Sequence, residues 1–234
     1  MSIPSSEPEF AVSAGELNAR YDKFVVDLLG AIAYGELSAF ERLSSDARYS
    51  PTLHDRAVLG KMAVAEFGHF EMVRERLTEM GMDVELAMTP FQQMVDSFHD
   101  RTRPADWYES LMKAYVVDAI SEDFYRAIGE FLDPATQEVI ARVRTSDEQS
   151  TVLRGRLKRM LAEDPRLSSR LALWGRRLVG EALTQAQRVG RQHSFLVGLT
   201  PAGTEEVAAN EVARMITELT RNHSRRMSQL GLTA

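Results

Sequence analysis

Glu66 and His69 stand three residues apart in the segment AEFGHFE. On a helix that spacing turns both side chains the same way. A carboxylate beside an imidazole is a donor pair for a late first-row metal ion. Glu36, in AYGELSAFERL, and Asp118 and Glu122, in VVDAISEDFY, are further acids set among apolar residues. The apolar spacing around Glu36 runs Val25, Leu28, Leu29, Ile32, Phe40, Leu43. Around Glu66 and His69 it runs Leu59, Met62, Val73, Leu77, and around Asp118 and Glu122 it runs Leu111, Tyr115, Tyr125, Ile128, Leu132. Each set fits one face of a helix. An ionised carboxylate on a buried face is unfavourable, and several at one level repel one another. Two metal cations would relieve both costs. Arg or Lys from a neighbouring helix would also do so, and arginines are plentiful.

A symmetric di-metal site in a four-helix bundle takes a second Glu-x-x-His from another helix. The stretch VRTSDEQSTVLRGRL places Glu148 in the carboxylate position, with Asp147 as a rival on the stripe of Val143 and Leu157. Thr151 stands where the histidine belongs. His99 lies in the connection between the second and third helices, where a folded-back chain would bring it near the bundle. Both Asp118 and His99 are candidate substitutes for the missing ligand. His54, His193 and His223 read as surface or core residues. The chain has no cysteine, which removes disulfides, thiolate zinc sites and iron–sulfur clusters. The methionines and the aromatic series Phe67, Phe70, Phe91, Phe98 read as core, some of it lining a pocket if the site is active.

Long helices must hold these residues in register, and the sequence supplies them. Six are expected, over about residues 15–45, 51–80, 104–132, 134–163, 165–192 and 201–230. Ser50-Pro51, Asp133-Pro134, Asp164-Pro165 and Thr200-Pro201 have the form of an N-cap followed by proline, Pro104 opens the third helix, and Gly81 closes the second. No strand-like alternation occurs. Residues 1–14 read as a disordered lead, and residues 15–234 as one domain. The first and third connections are short, and the second, residues 82–103, is long enough to cross the length of a bundle. That pattern is the ferritin-like topology. The expected class is all-α: a ferritin-like four-helix bundle over about 15–163 with two additional C-terminal helices.

Net charge is -6, unevenly spread: residues 1–140 hold 12 Lys and Arg against 25 Asp and Glu, and residues 141–234 hold 16 against 9. A basic C-terminal part could face an anionic partner or simply carry solvated helix faces. The opening MSIPSSEPEF has neither the basic nor the apolar segment of a signal peptide, and no apolar run spans a bilayer. The expectation is a cytoplasmic protein with no membrane partner. Oligomeric state is unread, and a homodimer stays open.

The segments AYGELSAFERL, AEFGHFE, DWYESLMKAYVVDAISEDFY and LWGRRLVGEALTQAQRV together resemble the MiaE-like branch of ferritin-like proteins, over about residues 15–225. MiaE itself is a di-iron hydroxylase acting on a modified adenosine in tRNA. The resemblance implies iron as cofactor and Glu36, Glu66, His69, Glu122 and Glu148 as ligands, with Thr151 departing from the family's second histidine. It implies an oxygen-activating hydroxylase and tRNA as partner. The alternative is a non-catalytic ferritin-like binding or structural protein with one metal or none.

Overall fold

The computed structural model describes residues 14–129, 131–144, 147–192 and 205–233, with side chains for most of them. Among the described residues there are eight α-helices, one short 3-10 turn and no strand. The expected lead falls almost wholly outside these residues, as do His193 and the Thr200-Pro201 start. No described helix is long and apolar enough to cross a membrane.

Helix α1 (Ala14–Asp46) and helix α2 (Leu53–Glu79) form a long hairpin closed by the 3-10 turn Ala47–Tyr49. The cap of α2 is Thr52 rather than Ser50. Its hydroxyl oxygen accepts from the Asp55 amide at 3.0 Å and donates to the Asp55 carboxylate at 2.7 Å. Capping reciprocity of this kind outweighs the Ser50-Pro51 signal just before it. At the other end Gly81 has φ +73°. The Met82 amide there reaches back to the Leu77 carbonyl at 3.0 Å, a Schellman closure that glycine permits.

The long connection is itself helical. Helix α3 (Val84–Arg101) starts from the Asp83 cap and carries the chain back along α1. Its Pro90 sits on an exposed face, so the helix continues past it. The close approach of α1 and α3 is made at Gly30, where an added Cβ would lie 2.1 Å from the Ala87 carbonyl oxygen. That atom is backbone and cannot swing aside. Gly30→Ala is expected to cost at least about 1–3 kcal/mol through overpacking, read as a lower urea midpoint with unchanged slope.

Helix α4 (Trp107–Gly129) runs antiparallel to α1: Ser110 meets Asp46 near one end and Tyr125 meets Glu36 further along. It begins at the Asp106 cap, whose carboxylate accepts from the Glu109 amide at 3.0 Å, later than Pro104. The expected fourth helix is two helices, α5 (Pro134–Val143) and α6 (Asp147–Glu163). Thr145, Ser146 and Asp147 are residue types that start helices rather than continue them, and α6 begins at Asp147. Helices α7 (Leu167–Gln192) and α8 (Glu205–Gln229) pack on α4 and on each other, and α7 also packs on α3.

The buried apolar residues form two clusters along the bundle. One gathers Phe24, Leu28, Ile32, Phe70, Val73, Phe91 and Ile128. The other gathers Leu59, Met62, Leu111, Tyr115, Leu157, Leu171 and Met227. On α1, α2 and α4 the seam acids lie between residues of one cluster and residues of the other. The polar tier therefore sits where the two cores meet.

Candidate metal centre

Glu36 is 7% exposed, and the Glu66 and His69 side chains are partly buried beside it. One ligand atom from each of these three residues lies within 4.8 Å of the others. The His69 ring nitrogen Nδ1 stands 3.3 Å from Glu66 Oε2 and 3.5 Å from Glu36 Oε2. The Tyr125 hydroxyl, on α4, donates to Glu36 Oε1 at 3.0 Å. Two helices thus hold two carboxylates and an imidazole at one level, and a third adds the Tyr125 phenol.

The electrostatics match a place made for a cation. Burial, and then the neighbouring Glu36, push the Glu66 carboxyl up to about 7, against the lowering pull of His69. Burial alone would lower the His69 ring. Its hydrogen bonds and attraction to Glu36 and Glu66 outweigh that and raise it to about 10. Burial and the Glu36 charge keep the Tyr125 phenol protonated far above its ordinary range, so it stays a donor to Glu36. Without metal, His69 is the countercharge for the two acids. Its ordinary value of 6.5 lies below the folded value. The stability it lends is therefore full below about 6.5 and is lost as pH rises through about 10.

A divalent ion needs the imidazole neutral and the carboxylates ionised. Metal binding near neutral pH should therefore release about one to two protons and tighten as pH rises. Calorimetric titrations in buffers of different ionisation enthalpy measure that number. Release of no proton would show that His69 is not a ligand.

The other acids divide. Glu122 lines the same cavity, but its carboxylate accepts from Arg126 at 2.5 Å. Asp118 also lines the cavity and accepts a short hydrogen bond from the Ser150 hydroxyl of α6. Ser150 of α6 thus reaches Asp118 of α4. Thr151, next to it, is exposed and fills no ligand position. Asp147 and Glu148 open α6, and their side chains lie outside the described residues. His99 is buried on α3 and lines the cavity without joining the three-residue cluster. His54 is exposed and His223 buried.

The cavity has a volume of about 380 Å³ and is walled mostly by apolar side chains. The two additional C-terminal helices, α7 and α8, close the cavity, with Leu183 and Ala186 from one and Val212, Met215 and Leu219 from the other. The Gln185 amide of α7 is 4% exposed. It lines the cavity, and neither its oxygen nor its nitrogen has a partner among the described residues. Sequence periodicity gave no sign of it, because glutamine is ordinary on an amphipathic helix.

A family profile described as a ferritin-like domain of actinomycetes matches residues 19–203. No curated protein matches the sequence. Among solved structures, a Synechococcus protein described as having aldehyde deformylating oxidase activity is similar with a TM-score of 0.65 and 18% identity. The likeness covers 92% of this chain and 97% of that one. At that identity the similarity is one of fold.

Proposed function

Because the chain belongs to the ferritin-like domain family of actinomycetes, we propose that it is a non-haem iron oxidoreductase that uses dioxygen to oxidise an apolar group held in its central cavity. The observation that carries this reading is the convergence of Glu36, Glu66 and His69 within 4.8 Å on the wall of that cavity. Two hard carboxylates and one imidazole form a donor set suited to iron. Glu122 would join them on release from Arg126, and Glu148 is the remaining ligand proposed from the sequence. Iron at this site would supply the redox chemistry.

The chain's own residues do the rest. Tyr125 fixes the rotamer of Glu36 through its hydrogen bond. His69 would give up its ring proton on loading, leaving a neutral imidazole to face the ion. Met62, Ile32 and Phe124 border the cavity and exclude water from the site. The Synechococcus neighbour carries an oxidase activity on the same fold, which makes this chemistry compatible with the architecture.

One observation favours a lesser role. Glu122 is ion-paired and Thr151 is exposed, so a second metal position would lack a nitrogen ligand. A single-metal or non-catalytic protein follows if that position never fills. Ferrous titration of the metal-free protein with dioxygen consumption recorded in parallel separates the two. Two ions bound and iron-dependent oxygen uptake support the oxidoreductase. One ion or none, with no uptake, supports the lesser role. The tRNA-borne substrate implied by the resemblance would show as binding of tRNA that weakens steeply with salt.

A further inference from the structure

The end of the cavity remote from Glu66 and His69 is polar, and the metal centre does not use it. Arg42 and Asp46 of α1, His99 of α3, and Ser110 and Lys113 of α4 line it. His99 and Lys113 are 7% and 6% exposed, so each is more than nine-tenths buried. The His99 ring nitrogen Nδ1 and the Arg42 nitrogen Nε are buried without a hydrogen-bond partner. Lys113 Nζ donates to the Thr102 carbonyl at 2.9 Å and has capacity for further acceptors. Asp46 accepts from Ser110 at 3.1 Å. Burial, and then Lys113 and Arg42, push His99 down to about 3, so its ring is neutral. Arg42 and Lys113 against Asp46 leave one positive charge in surplus.

The buried Arg42 Nε–H lacks an acceptor and the buried His99 Nδ1 lacks any partner, both unfavourable, and the Lys113 ammonium held away from water is more so. Several such groups in one place call for a ligand that accepts hydrogen bonds and carries one negative charge. A carboxylate does both. A phosphate dianion would overshoot the charge. Between this end and the metal cluster the walls are mostly apolar, with Ala39, Leu43, Val95, Phe98, Ala114 and Val117, and Asp118, bonded to Ser150, is the charged exception on α4. Glu36 and Arg42 are six residues apart on α1, and Lys113 and Glu122 nine apart on α4. At 1.5 Å per residue the two ends are about 9–14 Å apart along the bundle. An extended chain advances about 1.2 Å per bond, so about 8–12 bonds join them.

We infer that Arg42, His99 and Lys113 form a carboxylate subsite, and that the cavity takes an amphipathic carboxylic acid of roughly 8–12 carbons whose apolar end lies at Glu36, Glu66 and His69. The binding stands on the polar end alone. That the bound acid is the substrate rests on the oxidoreductase reading.

Decanoate is the probe, titrated calorimetrically into the full chain freed of metal. It should bind at one site, and decanol should bind at least about tenfold more weakly. Lys113→Met and Arg42→Met should each weaken decanoate roughly 10- to 100-fold, with decanol affinity and thermal midpoint near those of the unaltered protein. If one variant fails to fold, the other decides. A protein that takes decanoate but no ferrous iron would refute the metal reading and leave the subsite standing. Equal affinity for decanoate and decanol would overturn the subsite. Decanoate affinity unchanged in both cavity variants, or no binding below about a millimolar, would do the same.

Discussion

His69→Ala should weaken ferrous iron binding by at least about 100-fold. Loss of an outer hydrogen-bonding partner of a metal ligand already costs about 10–100-fold, and His69 is placed as a ligand itself. It is the imidazole of the cluster, within 3.5 Å of both carboxylates, and the remaining oxygen donors hold late first-row metals less well. Removal also takes away the countercharge of the metal-free state. Glu66, already raised toward neutrality by burial and by Glu36, would then keep its proton to still higher pH and oppose the incoming ion. Glu122→Gln provides the contrast. Its carboxylate already serves Arg126, so iron affinity should fall by about tenfold or less. Calorimetric titration of the three metal-free proteins at one pH compares them directly. If His69→Ala binds iron within about threefold of the unaltered protein, the cluster is not the metal site.

The three residues of the cluster were legible in the sequence because each interrupts an apolar seam on a long, well-marked helix. A buried acid in such a seam has few explanations, and helical phase fixes where it points. The connection helix α3 was less legible. Its cap Asp83 is a strong signal, but Pro90 in mid-helix reads as a break. In the structure that proline lies on the exposed side, where the local cost leaves the apolar face of Ala87 and Phe91 intact. The division of the fourth helix was misread for the opposite reason: the run from Pro134 to Glu163 contains no glycine or proline near residues 144–147, and only Ser146 and Asp147 hint at a restart.

Thr151 shows the limit of spacing as a guide. A three-residue offset from Glu148 names it, yet Ser150 is the residue turned to Asp118. A helix that restarts at Asp147 takes its phase from packing against α4. The polar end of the cavity was not legible at all. Arg42, His99 and Lys113 belong to three helices, and nothing local to any of them signals the others. Only the depth at which α3 lies along α1, fixed where Gly30 meets Ala87, brings them together.

Asp123→Ala should be strongly destabilising although it lies outside the apolar core. Asp123 is 6% exposed and neighbours Glu122 in sequence, but it faces α8. The Arg226 guanidinium grips it with two parallel bonds, Nη1 to Oδ2 at 2.5 Å and Nη2 to Oδ1 at 2.7 Å. Its hydrogen bond to Asp123 holds Arg226 above its ordinary range, against the opposing effect of burial. Removing the acid leaves a partly buried guanidinium without its partner. Breaking a buried pair in this way costs about 3–5 kcal/mol, which is a large share of the 5–15 kcal/mol that typically holds a domain together. Part of that cost is relieved by the one-fifth exposure of the Arg226 side chain, so about 2–4 kcal/mol is expected. Replacing both residues at once, Asp123→Leu with Arg226→Met, should cost less than Asp123→Ala alone, because no charge is then left buried. Urea unfolding of the single and double variants closes the cycle. The same changes reach the cavity. Val212, Met215, Ile216 and Leu219 of α8 form part of its wall, and Arg226 is the clamp that ties α8 to α4. A loosened α8 would admit water beside Glu36 and His69, so amide exchange in residues 210–229 should rise in Asp123→Ala before the global unfolding transition. A single variant as stable as the unaltered protein would show that the apolar contacts of Leu219 and Met227 alone hold α8 in place.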